Sequence, residues 1–493
     1  LLEQEDLDKA EAVLRAMAAR TPEDPAPALR VVEFLLDRRG PDAARAELRA
    51  RAETAADPLP FQRALGALDF SQGNIDAGVA ALETLIEGAE PSDARRDTQI
   101  ALARMRAQTG DVEGRDALVE AVLAEDASHV AALKMRARRQ IDSDQPQQAI
   151  QDLRVALEQA PQDPEILTLM AEAHEREGAR ELAGERLALA VEAANRAPEQ
   201  SLRYARFLLQ DERIGPAESV IVDALRRAPR DRDLLTMLAQ IHLQRRDWDR
   251  ALQVADVLRV SGDAADARAA DVISASALRA QNRLDETAAL LRDMVADDSD
   301  VGALAGLLQT YVEAGDLDAA RTLLDERLAR DPDSAALRMM QAGLLSLDER
   351  LDDAEALYRE IIADQPDYAP AYRTLFALLA AQDRPIDAAA VVDAGVDATR
   401  DPDLVFTKAS LLETQEDFDG AIALYEELYA QNSASDLLAN NLASLLTSHR
   451  SDPESLDRAF AIARRLRASN VPHFQDTYGW ILTRRGDPRL ALS

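Results

Sequence analysis

Between Asp163 and Pro198 the apolar positions fall into two helical stripes separated by a glycine. Leu167, Met170, Ala171 and His174 recur at the spacing that places side chains on one face of an α-helix. Asp163-Pro164 supplies an N-cap and a proline at the first helical position, which together read as a helix start. Gly178 ends the stripe, because glycine tolerates the left-handed C-cap. Ala183, Leu187 and Ala190 then form a second stripe, and Pro198 marks the exit. The pattern predicts a helical hairpin whose apolar face needs a neighbour to cover it.

The same grammar recurs along the chain. Gly110-Asp111, Gly315-Asp316 and Gly486-Asp487 read as inter-helix turns, and Asp331-Pro332, Asp401-Pro402 and Asp452-Pro453 as junctions between units. Just after each inter-helix turn stands one recurring slot. Alanine fills it as Ala10, Ala44, Ala149, Ala183, Ala217, Ala251, Ala320, Ala354, Ala389, Ala421, Ala459 and Ala491. Gly78, Arg115 and Thr287 fill the three remaining slots, which makes 15 copies at spacings of 32 to 38 residues, most often 34. A period of this size marks a repeat array, in which each unit buries its apolar face against the next. Alanine has a steric reason to recur: a small side chain lets the second helix approach the first closely.

These residues carry a resemblance to the tetratricopeptide repeat family. The family pattern stands in Leu351-Asp352-Asp353-Ala354 with Tyr358, Ile361 and Pro366. It recurs in Tyr311, Gly315, Ala320, Leu324 and Pro332, and in Tyr478-Gly479, Leu482, Gly486 and Ala491. The resemblance implies an all-α fold, a right-handed superhelical solenoid of about 15 helix-turn-helix repeats, covering essentially the whole chain.

Some stretches depart from the pattern. Arg115 and Thr287 occupy small-residue slots after long spacings, so a register slip would bring Ala117 or Ala288 into the packing position. In Val130–Gln145, Arg136 stands where an apolar residue is expected. The longest spacings place joints near Gly88–Asp93, Ser261–Asp266 and Asn432–Pro453, dividing one continuous solenoid into 1–90, 91–260, 261–434 and 435–493. No Gly/Ser-rich or proline-rich linker intervenes. Residues 1–20 read as a second helix without its first, and Leu490-Ala491-Leu492-Ser493 stops inside a second helix, as at the edges of a fragment. The short acidic run Asp297-Asp298-Ser299-Asp300 reads as a solvated loop.

Composition narrows the function. The chain is 47% hydrophobic but only 4% aromatic, a helix-forming balance dominated by alanine and leucine. With 57 basic against 90 acidic residues its formal charge is −33, which disfavours duplex binding and anionic lipid surfaces. That charge keeps a long solenoid soluble or suits a basic partner. The absence of cysteine excludes disulfides, thiolate zinc sites and cysteine nucleophiles within these residues. No apolar run is long enough to span a bilayer, so no direct membrane insertion is expected of this segment.

A search for reactive constellations finds none. There is no G-x-x-x-x-G-K-[ST], G-x-G-x-x-G or G-x-S-x-G. The histidines, His129, His174, His242, His449 and His473, include no H-x-x-x-H pair and no calcium loop accompanies them. His174 and His242 fall in slots where the family has tyrosine and are expected in the core, whereas His473 is expected toward solvent. Carboxylate pairs such as Glu172 with Glu175, or Asp352 with Asp353, arise freely in so acidic a chain. We therefore expect no enzyme activity, no cofactor and no metal.

What remains is a binding surface. Trp248 is expected in the core. Family geometry turns Trp480, with Asp476 and Arg484, toward the concave groove, where a tryptophan can anchor a partner; packing against a further unit is the competing role. Asn440 and Asn441 hold first-helix positions where the family can bind a ligand's backbone or terminal carboxylate, but no lysine lies near them, so the family's carboxylate clamp is not expected. The runs Asn440–Leu446 and Asp476–Leu482 resemble long bacterial envelope repeat proteins of exopolysaccharide export and related secretion. The implied role is a scaffold that grips an extended peptide or a helix in its groove, within a larger assembly. The implied place is the periplasm or outer membrane of a Gram-negative bacterium, in places as a lipoprotein. A cytoplasmic adaptor or regulator, and the repeat domain of a larger enzyme such as a glycosyltransferase, are the alternatives.

Overall fold

Period and capping together dictate the fold. The computed structural model describes residues 2–295 and 300–487, with side chains from residue 7 onward. Its 28 α-helices form thirteen two-helix hairpins, with one unpaired helix at each end, Leu2–Arg20 and Pro472–Arg484. Among the described residues there are no strands. Ala491 and the tail 490–493 lie outside the described residues, as do Asp297, Asp298 and Ser299 of the acidic run.

Helix starts explain part of the acidic excess. Asp111, Asp163, Asp231, Asp316, Asp401 and Asp452 each accept a backbone N–H from the first turn of the following helix. A carboxylate there satisfies an orphan donor and sits at the positive end of the helix dipole, each cap contributing about 0.5–2 kcal/mol. Other carboxylates pair with arginines of a neighbouring helix, in the same hairpin or the next. Arg45 meets Asp69 at 2.9 Å, Arg95 meets Glu125 at 2.6 Å, Arg321 meets Asp348 at 2.6 Å and Arg338 meets Asp364 at 2.6 Å. Such exposed pairs contribute about 0–1 kcal/mol each, so they set register more than stability.

Most inter-helix turns share one backbone conformation. Gly73, Gly110, Gly178, Gly315 and Gly486 are left-handed there, and so are Asp144, Glu212, Arg246, Asn282, Glu349, Asp383 and Glu416 in the equivalent turns. Two residues after that left-handed position the second helix begins, and its fourth residue fills the recurring slot. Ala149, Ala183, Ala217, Ala251, Ala320, Ala354 and Ala421 are all fully buried.

The structure corrects several slot assignments. Arg115 keeps its slot, donating its N–H to Asp111 O as Ala320 does to Asp316 O, and Ala117 is exposed. No register slip occurs, because Asp111 caps the helix through Gly114 N at 2.9 Å and so sets its phase. Thr287 likewise keeps its slot and is buried, with Ala288 buried beside it. In Pro385–Thr399 the buried slot is Ala388, whose N–H bonds Arg384 O, and Ala389 is half-buried one position on. Ala10, on the opening helix, is exposed. Arg136 replaces the expected apolar contact with ion pairs to second helices on both sides, Glu120 at 3.0 Å and Asp152 at 2.7 Å.

The chain divides into two compact units, Leu1–Pro161 and Gln162–Ser493. In the first, one apolar cluster runs from Ala18 through Val31 and Leu48 to Leu68, and another joins Leu82, Leu102 and Met105. In the second, clusters follow one another at Ala171–Phe207, Leu202–Ile241, Leu235–Ile273, Ala275–Leu337 and Ala335–Ile481. Each contains residues of adjoining hairpins, as a core built by stacking requires. One contact inside the second unit breaks this nearest-neighbour rule. The end of helix Pro164–Arg176 meets the 3-10 segment Arg464–Ala468, with Arg467 bonded to Gly178 across 289 residues.

Candidate protein-interaction surface

First helices of the second unit near its C-terminal end carry the expected surface. Helix Asp436–His449 starts at Ser435, whose hydroxyl accepts Leu438 N at 3.3 Å. Leu438, Ala439, Leu442, Leu445 and Leu446 bury one side, leaving Asn440 and Asn441 half-buried. Helix Pro472–Arg484 begins at a first-turn proline and buries Ile481 and Leu482.

The structure joins Asn440 and Asn441 to a hydrogen-bond chain rather than leaving them open. Thr477 donates to Asn440 at 2.7 Å, Asn440 donates to Asn441 at 3.2 Å, and Asn441 donates to the Tyr425 hydroxyl at 3.3 Å. Tyr425 donates onward to Glu413 at 2.7 Å, with Ser410 at 3.2 Å. Its ring is fully buried, and that burial pushes the phenol up to about 12. The chain ties first helices Pro402–Thr414, Asp436–His449 and Pro472–Arg484 together through one second-helix tyrosine. Sequence reading missed Tyr425 and Glu413 here; their signal was a tyrosine facing a glutamate across one hairpin.

Trp480 remains open, with 46% of its surface exposed. Asp476, one turn earlier on the same face, is exposed too. The Arg484 guanidinium lies 5.7 Å from the Trp480 ring centroid, and Arg484 also donates to Thr447 O at 2.8 Å. That second bond holds the guanidinium over the indole, within cation–π range. The result is a flat apolar ring flanked by one fixed cation and one carboxylate. It offers contact area and directionality.

A second feature lies among helices Ala264–Ala280, Leu284–Met294 and Val301–Glu313, where a cleft of about 370 Å³ has an apolar floor of Ala275, Leu291 and Ala303. Gly302 and Gly306 keep its wall low, and Arg268 and Arg279 stand at its rim.

The histidines and carboxylate pairs take structural places. His174 and His242 are buried, and burial pushes the His242 imidazole below its ordinary range. His129 caps helix Val130–Asp142, His449 stacks on Phe418, and His473 is exposed. Burial pushes the Glu175 carboxyl up against the pull of Arg203, its partner. Asp353 pairs with Arg350 at 2.6 Å and Asp352 faces solvent. Trp248 opens helix Trp248–Arg259 and is half-buried. Among the described residues no three His, Asp or Glu gather as a metal-binding group, and no helix is long and apolar enough to cross a membrane.

Comparison with known proteins bears on the repeat units directly. Residues 205–265 and 278–344 each match a family model described as tetratricopeptide repeat. Among solved structures the chain is similar to Naa15/Naa10 bound to HypK-THB, at 16% identity and TM-score 0.32, over 88% of this chain and 74% of that one. It is also similar to the APC/C hetero-tetramer Cut9-Hcn1, at 10% identity and TM-score 0.36, over 98% of this chain and 94% of that one. A tetratricopeptide repeat protein from Parabacteroides merdae ATCC 43184 is similar at 14% identity and TM-score 0.35, over 51% of this chain and 97% of that one. No functionally curated protein matches the chain.

Proposed function

We propose that this chain, a tetratricopeptide-repeat protein, is a non-enzymatic scaffold that holds protein partners against the surface of its first helices. The observation that carries this reading is Trp480: a large aromatic side chain left 46% exposed, beside a guanidinium that a hydrogen bond to Thr447 O fixes. Aromatic and arginine side chains are the residues most often found at interaction hot spots. The absence of a catalytic motif in the sequence, and the structural places of the histidines, support a mechanism of contact area over one of chemistry.

The setting we propose is a bacterial envelope assembly, with the chain in the periplasm or at the outer membrane as part of a polysaccharide or protein export system. The runs Asn440–Leu446 and Asp476–Leu482 support it through their resemblance to envelope repeat proteins. The structure adds that both runs belong to one hydrogen-bonded surface, joined by Thr477 and Asn440. Affinity purification of the tagged chain from its native cells tests the setting. Specific recovery of envelope-export components, weakened by Trp480→Ala, is the expected result. Recovery of cytosolic partners alone would overturn it.

A further inference from the structure

Repeat solenoids normally touch only their neighbours, and that makes them compliant along their length. The unit Gln162–Ser493 departs from this at one place. The turn that ends helix Pro164–Arg176 meets the junction that follows helix Pro453–Ala463, in the hairpin eight positions further along.

The contact is built from both sides. Arg176, only 9% exposed, donates to the Tyr429 hydroxyl at 3.3 Å and to the Ser433 hydroxyl at 2.7 Å. Arg465 donates to the same Tyr429 hydroxyl at 3.4 Å, and to Ala434 O at 2.9 Å. Arg464 pairs with Glu177 at 3.2 Å, and Arg467 donates to Gly178 O at 3.2 Å. Polar groups taken out of water need partners, and each of these guanidiniums finds one across the contact or beside it.

Gly178 carries the second, independent observation. It stands at the left-handed position of the inter-helix turn, where seven other repeats hold Glu, Asp, Asn or Arg, as at Glu212 and Glu416. At Gly73, Gly110, Gly315 and Gly486 an added Cβ would meet nothing within 4 Å. At Gly178 it would lie 2.6 Å from Arg464 O and 2.9 Å from Arg467 Cγ. Backbone conformation alone therefore does not demand glycine at this turn; the approach of Arg464–Arg467 does. The segment is also where the helix Pro453–Ala463 gives way to a 3-10 turn, which presents the Arg464 carbonyl to Gly178.

We propose that this contact is a latch: it closes one full turn of the repeat array in Gln162–Ser493, fixes its pitch, and admits a partner to the inner face only end-on or after the latch opens. The latch stands independently of which partner binds. Hydrogen bonds to neutral groups, the Tyr429 and Ser433 hydroxyls and Gly178 O, make up much of it, so moderate salt leaves it shut.

The chain has no cysteine, so Glu181→Cys and Asn470→Cys create one clean pair for nitroxide labels on exposed positions flanking the two sides. Pulsed electron spin measurements on the full chain read the distance between them. The expected result is a single short, narrow distribution in the parent, a longer and broader one in Gly178→Glu, and no change in Gly315→Glu, which meets the same backbone demand without the contact. Circular dichroism of the two glycine variants confirms equal helix content. Arg464→Glu should open the latch as well, and adding Glu177→Arg should restore the short distance. A long, broad distribution in the parent, or an unchanged one in Gly178→Glu, would overturn the proposal. So would equal lengthening in Gly178→Glu and Gly315→Glu.

Discussion

The hairpins between Val301 and Gln431 and the terminal stretch between Asp436 and Arg484 obey the same rules with different results. In the first region every second helix opens with a buried alanine, Ala320, Ala354, Ala388 or Ala421, and the interior is filled by Leu375, Tyr358 and Tyr425. In the second region helix Pro453–Ala463 ends in a 3-10 turn, and an indole stays exposed. Regular repeats make a frame that any partner could share. The irregular repeats carry what is particular to this chain: the Asn440–Thr477 chain, the Trp480–Arg484 pair and the residues facing Gly178.

That contrast can be broken first at the alanine slot. Ala320→Trp should destabilise by about 1–3 kcal/mol or more, since a fully buried site between two helices has no room for an indole. Thermal melting checks it, and an unchanged midpoint would show that the slot is not tightly packed. The terminal region should respond in the opposite way. Trp480→Ala should leave stability within about 0.5 kcal/mol, as an exposed side chain predicts. It should cost partner binding about 2 kcal/mol or more if the indole is an anchor. Loss of fold with no binding change would return Trp480 to a packing role.

Tyr425→Phe probes the seam between the regions and should cost about 1–2 kcal/mol, because it strands the partners of a buried hydroxyl. The same residue predicts an alkaline limit. The unfolded phenol titrates near its ordinary value of 10.0 and the folded one at about 12. The folded state therefore holds its proton more tightly; its contribution is complete below pH 10 and is lost as pH rises through 12. Urea unfolding across that range should show stability falling, and falling less in Tyr425→Phe. The smallest effect is Glu416→Gly, which should stabilise by up to about 1 kcal/mol by relieving a left-handed non-glycine turn.

Much of the frame was legible because it rests on local rules. Caps, turn glycines and apolar spacing act within a few residues, so Asp163, Gly178 and the stripe Leu167–His174 could be read directly. Where the sequence offers no contrast, reading fails: in Asp387-Ala388-Ala389-Ala390 three alanines compete for one slot, and only the N–H to Arg384 O selects Ala388. Arg115 misled because residue size was weighed above the phase set by the Asp111 cap. The surroundings of the candidate surface residues were legible only in part. Trp480 and Asp476 stand exposed on first helices, but Asn440 and Asn441 spend their amides on Tyr425, each other and Thr477. The meeting of Arg176 with Ser433, 257 residues away, follows from how repeats accumulate rotation, which no single unit encodes.

On the function proposed above, partners are held by the first-helix surface of the irregular end. A photo-crosslinking amino acid placed in turn at Asp476, Trp480, Asp397 and Ala423 tests it directly, the last two being exposed second-helix positions of the regular region. We expect one and the same protein partner joined at Asp476 and Trp480 and absent at Asp397 and Ala423. Crosslinking confined to Asp397 and Ala423, or none beyond background at Trp480, would contradict it.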